Sequence, residues 1–168
     1  MSFANKVVDA FIEIPRGSQN KYEYDKEAGV FRLDRVLYSP MHYPTEYGYL
    51  DKTLALDGDP LDILVLTTFP TFPGCVIKSR VIGVLIMSDD KGQDEKLLAV
   101  PADDPRWDFA QDLSDVPEHR LKEIAHFFAV YKDLENKKTV IEGWKDAAFA
   151  AHLIEECRKR YSAEKVKA

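Results

Sequence analysis

Cysteine is scarce in this chain of 168 residues, which has two, Cys75 and Cys157, far apart in the sequence. Two isolated thiols can build neither a disulfide framework nor a zinc knuckle, so we expect both to be reduced. Long apolar runs are also missing, since none approaches the roughly 20 residues that a membrane-spanning helix needs. These absences favour a protein of a reducing compartment that has no membrane partner.

Positive charge is not in excess either. Lysine and arginine number 23 against 29 aspartates and glutamates, which gives a net charge of -6 at pH 7. A nucleic-acid partner bound by bulk charge is therefore not expected. The first residues, Met-Ser-Phe-Ala-Asn-Lys, lack the basic start and the apolar stretch of a secretion signal. We predict a cytoplasmic chain whose residues 1–168 form one domain, because this length suits a single hydrophobic core.

Short strand-like segments fill the first hundred residues. They are rich in β-branched, aromatic and aliphatic residues and are separated by turn residues such as Pro15-Arg16-Gly17 and Lys91-Gly92. The predicted strands are Val8–Ile14, Lys21–Tyr24, Val30–Tyr38, Leu61–Leu66, Cys75–Met87 and Leu97–Val100. Because little helix lies between them, we predict an antiparallel, barrel-like sheet.

After Pro101 the spacing of apolar residues becomes helical. Asp115 and Glu118 have the spacing of a capping box, which predicts a helix start with Asp115 as its N-cap. Leu121, Ile124, Ala125, Phe128 and Tyr131 then fall on one helix face. A second helix is predicted from about Lys145 to Arg160. The predicted fold is α+β, an antiparallel, OB-like β-barrel with two flanking C-terminal helices.

The most unusual stretch is Asp57-Gly58-Asp59-Pro60-Leu61-Asp62, which puts three carboxylates into six residues between apolar runs. Neighbouring carboxylates repel one another and are costly to desolvate. Mg²⁺ removes that cost, because it takes oxygen ligands and usually binds one or two carboxylates together with substrate phosphate. An exposed acidic turn is the alternative, since Asp-Gly and Asp-Pro are ordinary turn residues.

Other charged residues fall where strand geometry can bring them together. Asp89 and Asp94 flank the turn at Lys91-Gly92, and Lys96 shares a strand face with Asp94 by the two-residue period. Lys21 shares a face with Glu23 for the same reason. The remaining candidates also have simpler interpretations, as surface charges or packing aromatics: Glu13, Arg35, Tyr43, Tyr47 and Tyr49. Together, these acids, long cations and tyrosine hydroxyls are what a site needs to hold several Mg²⁺ ions and phosphate oxygens.

Nearly the whole chain resembles the soluble family I inorganic pyrophosphatases. The resemblance depends above all on residues 57–62, which match the family signature DGDPxD. Further matching elements follow in order along the chain: Ile12–Pro15, Asn20–Glu23, Asp34-Arg35, Tyr43–Tyr49, Pro73-Gly74, Asp89, Asp94–Lys96 and His126–Leu134. The resemblance implies hydrolysis of inorganic pyrophosphate to two orthophosphates by a cytoplasmic enzyme that forms a homohexamer.

The resemblance also implies a role for each matching residue. Asp57, Asp62 and Asp94 match the acids that bind the activating metal ions, with Asp62 bridging two of them. Asp89 matches a ligand of the ions that arrive with substrate, and Glu13 matches an acid that supports one of these ions. The groups that hold the phosphates are matched by Lys21, Arg35, Tyr47, Lys96, Tyr131 and Lys132. Asp59 matches the general base, and Asp94 stays open as an alternative proton acceptor.

The reaction implied by the resemblance is a direct attack on phosphorus by a metal-bridged water that Asp59 activates. Several Mg²⁺ ions per site are expected as the cofactor, with Mn²⁺ or Zn²⁺ as substitutes. Two metal ions that share one water lower its pKa from about 15.7 towards 7. A positioned base then contributes ~10²–10⁴-fold to the rate. No covalent intermediate is required.

Three other interpretations compete with this one. Residues 54–59 resemble the opening of haloacid dehalogenase phosphatases, in which Asp57 would be the nucleophile, but that motif belongs to an α/β domain. A calcium-binding loop starting at Asp57 fails, because its fifth and twelfth positions would be Leu61 and Thr68. A barrel that binds single-stranded nucleic acid through its tyrosines needs an electropositive groove, which the neighbouring acids oppose.

Two positions depart from the family pattern. Members often carry a second histidine just before the Tyr-Lys-Asp-Leu element, where this chain has Val130. This helix lies near subunit contacts in bacterial members, so the substitution affects expectations about the oligomer rather than the site. His42 stands where an aromatic or small residue is more usual, and we expect it to be a packing residue rather than one that tunes the pH response.

Overall fold

The structure, a computed structural model, describes residues 6–167; residues 1–5, which include most of the stretch that argues against a secretion signal, and residue 168 lie outside it. The described residues form nine β-strands and two α-helices. The strands are β1 (Val7–Ile14), β2 (Asn20–Asp25), β3 (Val30–Val36), β4 (Glu46–Leu50), β5 (Asp62–Val65), β6 (Val76–Asp89), β7 (Gly92–Gln93), β8 (Lys96–Pro101) and β9 (Val140–Asp146). The helices are α1 (Glu118–Val130) and α2 (Ala147–Lys167).

Five strands close into a barrel in the order β1-β4-β5-β8-β6, because β6 also pairs with β1. The pairing between β5 and β8 is parallel, and the other four pairings of the barrel are antiparallel. Strands β7 and β9 pair with β6, while β2 and β3 form a separate two-stranded sheet. The predicted α+β class, an OB-like barrel with two C-terminal helices, is confirmed, with one parallel pairing that the sequence pattern did not predict.

Two hydrophobic clusters explain why several strands have uninterrupted apolar sequences. Along β5, Ile63 and Val65 belong to the cluster that includes α2, whereas Leu64 belongs to the cluster that includes α1. Strand β8 divides its side chains between the clusters in the same way. Strands that are covered on both faces lose the alternation of apolar and polar residues. The site must therefore lie where polar residues enter at the ends of these strands.

The helix boundaries correct two details of the prediction. Asp115 does not cap α1, because Asp112 and Asp115 form a capping box on the short 3₁₀ turn Leu113–Asp115 instead. Helix α1 begins after Pro117, which provides no side-chain cap. Lys145 belongs to β9, so the second helix starts later than predicted, at Ala147. The predicted capping box of Asp115 and Glu118 is therefore wrong, and Asp115 is instead the last residue of a box one turn earlier.

Three strands were missed: the two-residue β7, which begins in the predicted turn at Lys91-Gly92, and the two longer strands β4 and β9. Strand β4 lies in the segment with Pro40 and Pro44, whose turn residues concealed it, although its sequence Glu46–Leu50 has a strand-like length. Strand β9 carries Gly143 at a φ of 134°, which interrupts the apolar pattern. Both are identifiable only from their pairing with β1, β5 and β6.

The topology also bears on the alternatives. The haloacid dehalogenase interpretation required an α/β domain, and the barrel excludes it. Among residues 6–167, no helix is both long enough and apolar enough to cross a membrane.

Candidate functional site

One cavity of about 310 Å³ gathers most of the residues predicted for the site. The predicted residues that line it are Glu13, Lys21, Tyr47, Asp57, Asp59, Asp62, Asp89, Asp94, Tyr131 and Lys132. They come from β1, β2, β4, the loop before β5, the start of β5, the end of β6, the residue after β7 and the two residues after α1. Lys96 and Arg35 are not part of the lining. Lys96 is buried in contact with the lining residue Asp62, and Arg35 contacts Asp34.

Two β-bulges bring charged residues to this cavity. Ile12 pairs with Gly48 and Ile14 with Tyr47, so Glu13 is the extra residue of a bulge in β1. Bulges re-aim side chains and are common next to active sites. This bulge explains how an acid in an apolar strand comes to line the cavity instead of facing solvent.

The second bulge is in the β2–β3 hairpin. Lys21 and Arg35 face each other across the hairpin, and Asp34 is the extra residue. Like charges directly opposite on a sheet are destabilising. Asp34 removes the conflict, because its Oδ2 lies 3.2 Å from the Lys21 ammonium and 2.7 Å from the Arg35 guanidinium. One carboxylate oxygen therefore holds two cations close together at the cavity.

The acid loop, residues 54–59, is a tight turn that presents two carboxylates. The amide of Ala55 donates to the carbonyl of Asp59 at 2.8 Å, which closes the turn. The amide of Asp59 donates to Oδ1 of Asp57 at 3.0 Å. Gly58 has a φ of 90°, a conformation that glycine adopts most readily. The sequence Asp-Gly-Asp is thus explained by the turn itself, and Asp62 follows as the first residue of β5.

Lys96 forms the base of the site. Its ammonium is buried and lies 2.9 Å from Oδ2 of Asp62, 3.1 Å from Oδ2 of Asp94 and 3.1 Å from the Tyr47 hydroxyl. Burial disfavours the charged amine. The carboxylates of Asp62 and Asp94 nevertheless raise the pKa of Lys96 well above its ordinary value. A charged lysine in this position compensates for two carboxylates at once.

Tyr47 links the lysine to the acids. Its hydroxyl donates to Oδ2 of Asp62 at 2.9 Å and accepts from Lys96. Burial raises the pKa of Tyr47 well above its ordinary value, so the phenol keeps its proton. It is therefore available as a hydrogen-bond donor at neutral pH.

Three carboxyl groups of the cavity have raised pKa values. Burial raises the pKa of Glu13 to about 7, although the amide of Tyr24 donates to its Oε2 at 2.8 Å and opposes the shift. Burial also raises the pKa of Asp94, although Lys96 opposes it, and the pKa of Asp57 is raised by burial as well. A cation that entered the cavity would favour their ionised forms.

The cation side of the cavity continues to the end of α1. The ammonium of Lys132 lies 3.4 Å from Oδ2 of Asp89 and 5.5 Å from the centre of the Tyr131 ring. Arg35 approaches the same region from β3, and its Nε lies 3.0 Å from Oε1 of Glu135. Lys132 and Arg35 thus reach the region from two different elements.

Glu135 and Asp34 are partners of the site's cations that were not predicted. Glu135 lies four residues after Tyr131, in a turn, and nothing in its spacing identifies it. Asp34 was noted only as part of a family element, and its role depends on the bulge. Further lining residues without an earlier assignment include Glu23, Lys26 and Lys91. His42, expected to be a packing residue, is exposed.

Mg²⁺ suits the oxygen donors that line the cavity. Among the described residues, no three His, Cys, Asp or Glu groups converge into a complete metal cage. Mg²⁺ does not require one, because it keeps several waters and uses one or two carboxylates plus substrate phosphates. The carboxylates of the cavity form an open arrangement, and two of them, Asp62 and Asp94, already lie near the Lys96 ammonium. This arrangement fits such a mode of Mg²⁺ binding.

Comparisons with known proteins agree with this geometry. A family model described as inorganic pyrophosphatase matches residues 10–162. The inorganic pyrophosphatase of Geobacillus stearothermophilus is 64% identical over 165 residues, 98% of this chain and 100% of the relative. That of Methanosarcina mazei is 54% identical over 154 residues, 92% of this chain and 91% of the relative.

Solved structures are similar as well. The crystal structure of inorganic pyrophosphatase from Thermus thermophilus has a TM-score of 0.92 at 48% identity and covers 96% of this chain and 95% of that one. The Helicobacter pylori inorganic pyrophosphatase has a TM-score of 0.92 at 43% identity and covers 96% of each chain. The residues matched by the family model include every residue that lines the cavity.

Proposed function

Because the chain belongs to the inorganic pyrophosphatase family, we propose that it hydrolyses inorganic pyrophosphate to two orthophosphates. The observation that carries the proposal is the convergence of carboxylates and long cations on one cavity of about 310 Å³. Pyrophosphate is a compact polyanion, so its site needs cations for the phosphates and a way to overcome repulsion by the acids. Cationic side chains and carboxylates that can hold metal ions both line the cavity.

Mg²⁺ is the proposed cofactor, with several ions per site and Mn²⁺ or Zn²⁺ as substitutes. Asp57, Asp62 and Asp94 would hold the activating ions, while Asp89 and Glu13 would hold or support those that accompany substrate. Bound Mg²⁺ neutralises phosphate charge and lowers the pKa of a water in contact with it from about 15.7 towards 7. Supporting this, the five acids lie on the same cavity, which suits a hard cation that prefers oxygen.

The phosphates would be held by Lys21, Arg35, Tyr47, Lys96, Tyr131 and Lys132. Three of these cations come from two different parts of the chain. Lys21 and Arg35 come from the β2–β3 hairpin, joined by Asp34, and Lys132 comes from the end of α1. Fixed cations near the leaving phosphate stabilise the charge that develops there without reorganisation during the reaction.

Asp59 is the proposed proton acceptor. It lines the cavity, and its side chain is exposed on the acid loop, so the carboxylate can reach a water near the phosphates. Asp94 is a weaker candidate, because Lys96 lies within about 3.2 Å of both of its oxygens. A carboxylate committed to a buried lysine is less free to accept a proton.

We also propose a cytoplasmic homohexamer. Large exposed apolar side chains are available for subunit contacts, among them Phe69, Phe72 and Phe109, which are each more than half exposed. Light scattering coupled to size-exclusion chromatography should give six times the chain mass of 19.2 kDa. A monomeric mass would overturn the hexamer and leave the hydrolysis untouched.

Phosphate release from pyrophosphate tests the proposed activity directly. The purified chain should release phosphate from pyrophosphate with Mg²⁺ and should stop when a chelator is added. An aryl phosphate monoester serves as the control substrate and should be hydrolysed far more slowly. Absence of Mg²⁺-dependent release by folded protein would reject the function, and equal rates on both substrates would indicate a general phosphatase.

A further inference from the structure

Helix α2 is hydrogen-bonded to the acid loop at Leu54, through both backbone polar groups of that residue. The amide of Leu54 donates to the carbonyl of Cys157 at 3.0 Å. The carbonyl of Leu54 accepts a hydrogen bond of 2.6 Å from Nη1 of Arg160. We propose that Arg160 is a positioning residue, which holds the acid loop so that Asp57 and Asp59 face the cavity.

The remaining hydrogen bonds of the loop explain why this contact matters. Thr53, just before the loop, is buried, and its hydroxyl donates to the carbonyl of Leu50 and accepts from the amide of Leu61. Those bonds fix the base of the loop to β4 and to the start of β5. Within the loop, the amide of Ala55 donates to Asp59 and that of Gly58 to Ala55. These inner bonds shape the turn, but they do not fix its direction relative to the barrel.

Packing holds the inner part of the loop, where Ala55 is buried, but not its outer part. Leu56 is 63% exposed, and a Cβ at Gly58 would have nothing within 4 Å. The loop therefore projects from the barrel, and its outer half makes few contacts. Leu54 is hydrogen-bonded to helix α2 next to the buried Ala55, so the α2 contact constrains how the turn is oriented.

Arg160 is itself well anchored. It follows three buried residues of α2, Leu153, Ile154 and Cys157, which pack in the cluster shared with the barrel. Its Nη1 also lies 3.7 Å from Sγ of Cys157. The guanidinium is planar and always charged, so it makes a strong hydrogen bond to a carbonyl in a defined direction. A hydrogen bond between residues 106 apart in sequence thus connects the C-terminal helix to the site.

The consequence rests on the proposed function, because Asp57 is proposed as a metal ligand and Asp59 as the proton acceptor. If the carbonyl of Leu54 moves, the closed turn moves with it, and both carboxylates change position together. Residues that orient ligands typically change metal affinity or activity 10–100-fold when they are replaced. Since Arg160 acts through the backbone, the lower end of that range is expected.

The test compares Arg160→Met and Arg160→Lys with Lys159→Met as a matched control. Methionine keeps an apolar stem but removes the donors, while lysine keeps a charge that can still reach a carbonyl. Lys159 is the neighbouring residue on α2, exposed, with its ammonium 3.0 Å from Glu155. Mg²⁺ affinity is measured calorimetrically without substrate, at a temperature where circular dichroism shows each variant fully folded, and kcat and KM for pyrophosphate are measured beside it.

Arg160→Met should weaken Mg²⁺ binding and lower kcat by about tenfold each. Arg160→Lys should have a Mg²⁺ affinity and a kcat between those of Arg160→Met and the wild type. Lys159→Met should match the wild type in both. A variant with a lower melting temperature but wild-type Mg²⁺ affinity and kcat would make Arg160 merely structural and overturn the proposal. Should the wild type bind Mg²⁺ but leave pyrophosphate intact, the proposed function fails. The difference in Mg²⁺ affinity between the variants still decides the role of Arg160 in that case.

Discussion

Asp62 and Lys96 are direct partners across the parallel pairing of β5 and β8, and the lysine ammonium lies 2.9 Å from Oδ2 of the aspartate. The same ammonium lies 3.1 Å from Oδ2 of Asp94, two residues before it on the chain. Tyr47 on β4 completes the group by donating its hydroxyl to Asp62. One buried cation thus holds together acids that are proposed to bind metal.

Replacing Lys96 by methionine should make the folded state depend on Mg²⁺. The substitution leaves Asp62 and Asp94 without their shared cation, and breaking a buried ion pair on one side typically costs about 3–5 kcal/mol. A bound divalent ion supplies the missing positive charge and stabilises the fold by mass action. Urea unfolding should therefore show a large loss of stability in chelator and a smaller loss in Mg²⁺, with hydrolysis strongly reduced.

The control for this prediction is Lys91→Met, which removes an exposed cation that also lines the cavity. Its stability should respond to Mg²⁺ as the wild type does. If Lys96→Met and Lys91→Met gained equal stability from Mg²⁺, the lysine would not be compensating the two acids.

Asp59→Asn should retain binding and lose turnover. The amide cannot accept a proton from water, so hydrolysis should fall by ~10²–10⁴-fold. The turn should persist, because its hydrogen bonds use the backbone of Asp59 and the side chain of Asp57. Steady-state assays give the rate, and calorimetry gives the affinities for Mg²⁺ and for a non-hydrolysable pyrophosphate analogue.

The comparison variant is Asp94→Asn, in which a ligand rather than a base is changed. It should lose Mg²⁺ affinity along with activity. An undiminished rate for Asp59→Asn would refute the base assignment.

The sequence predicted most strands correctly because their apolar patterns are local. It also offered a turn at Asp57–Pro60, as the alternative to a metal site, because Asp-Gly and Asp-Pro are ordinary turn residues. Strand β4 and the bulge at Glu13 were not predictable, because both depend on which strand lies next to which. A bulge is defined by two residues opposing one, and no pattern within β1 alone shows the partner.

The partners of the site's cations were hidden for the same reason. Asp34 reaches Lys21 only because the hairpin has an extra residue, and Glu135 reaches Arg35 across separate elements. The buried position of Lys96 is also a tertiary feature, since a lysine in a strand is ordinarily a surface residue. The strand period did place Lys96 beside Asp94, but Glu135 is identifiable as the partner of Arg35 only from the fold.

Mg²⁺ binding should release protons near neutral pH. Burial raises the pKa of Glu13 to about 7, so much of this carboxyl is protonated in the metal-free protein at pH 6.5. A carboxyl must lose its proton before it can ligate a cation, so Mg²⁺ affinity should fall as the pH drops below 7. Calorimetry of Mg²⁺ binding with a non-hydrolysable pyrophosphate analogue present, in two buffers of different ionisation enthalpy, measures the number of protons released. That number should be smaller in Glu13→Gln.

The same shift has an opposite consequence for the stability of the metal-free protein. Between pH 4.5, the ordinary pKa of a glutamate, and pH 7, folded Glu13 binds more protons than the unfolded chain does. Its contribution to the free energy of unfolding is therefore present below that window and decreases as the pH rises through it. Chelator-treated Glu13→Gln should show a weaker dependence on pH, and an unchanged dependence would speak against burial as the cause.

Gly48→Ala should disrupt the barrel, whereas Gly58→Ala should only strain one turn. A Cβ at Gly48 would lie 1.9 Å from the Phe11 carbonyl oxygen, which is backbone and cannot move without breaking the β1–β4 pairing. We expect a loss of at least about 3 kcal/mol, at the upper end of overpacking costs. At Gly58 there is open space, and the cost is the φ of 90° alone, about 1–2 kcal/mol. Chemical denaturation ranks the two variants, and equal losses would mean that β4 does not approach β1 as closely as the structure requires.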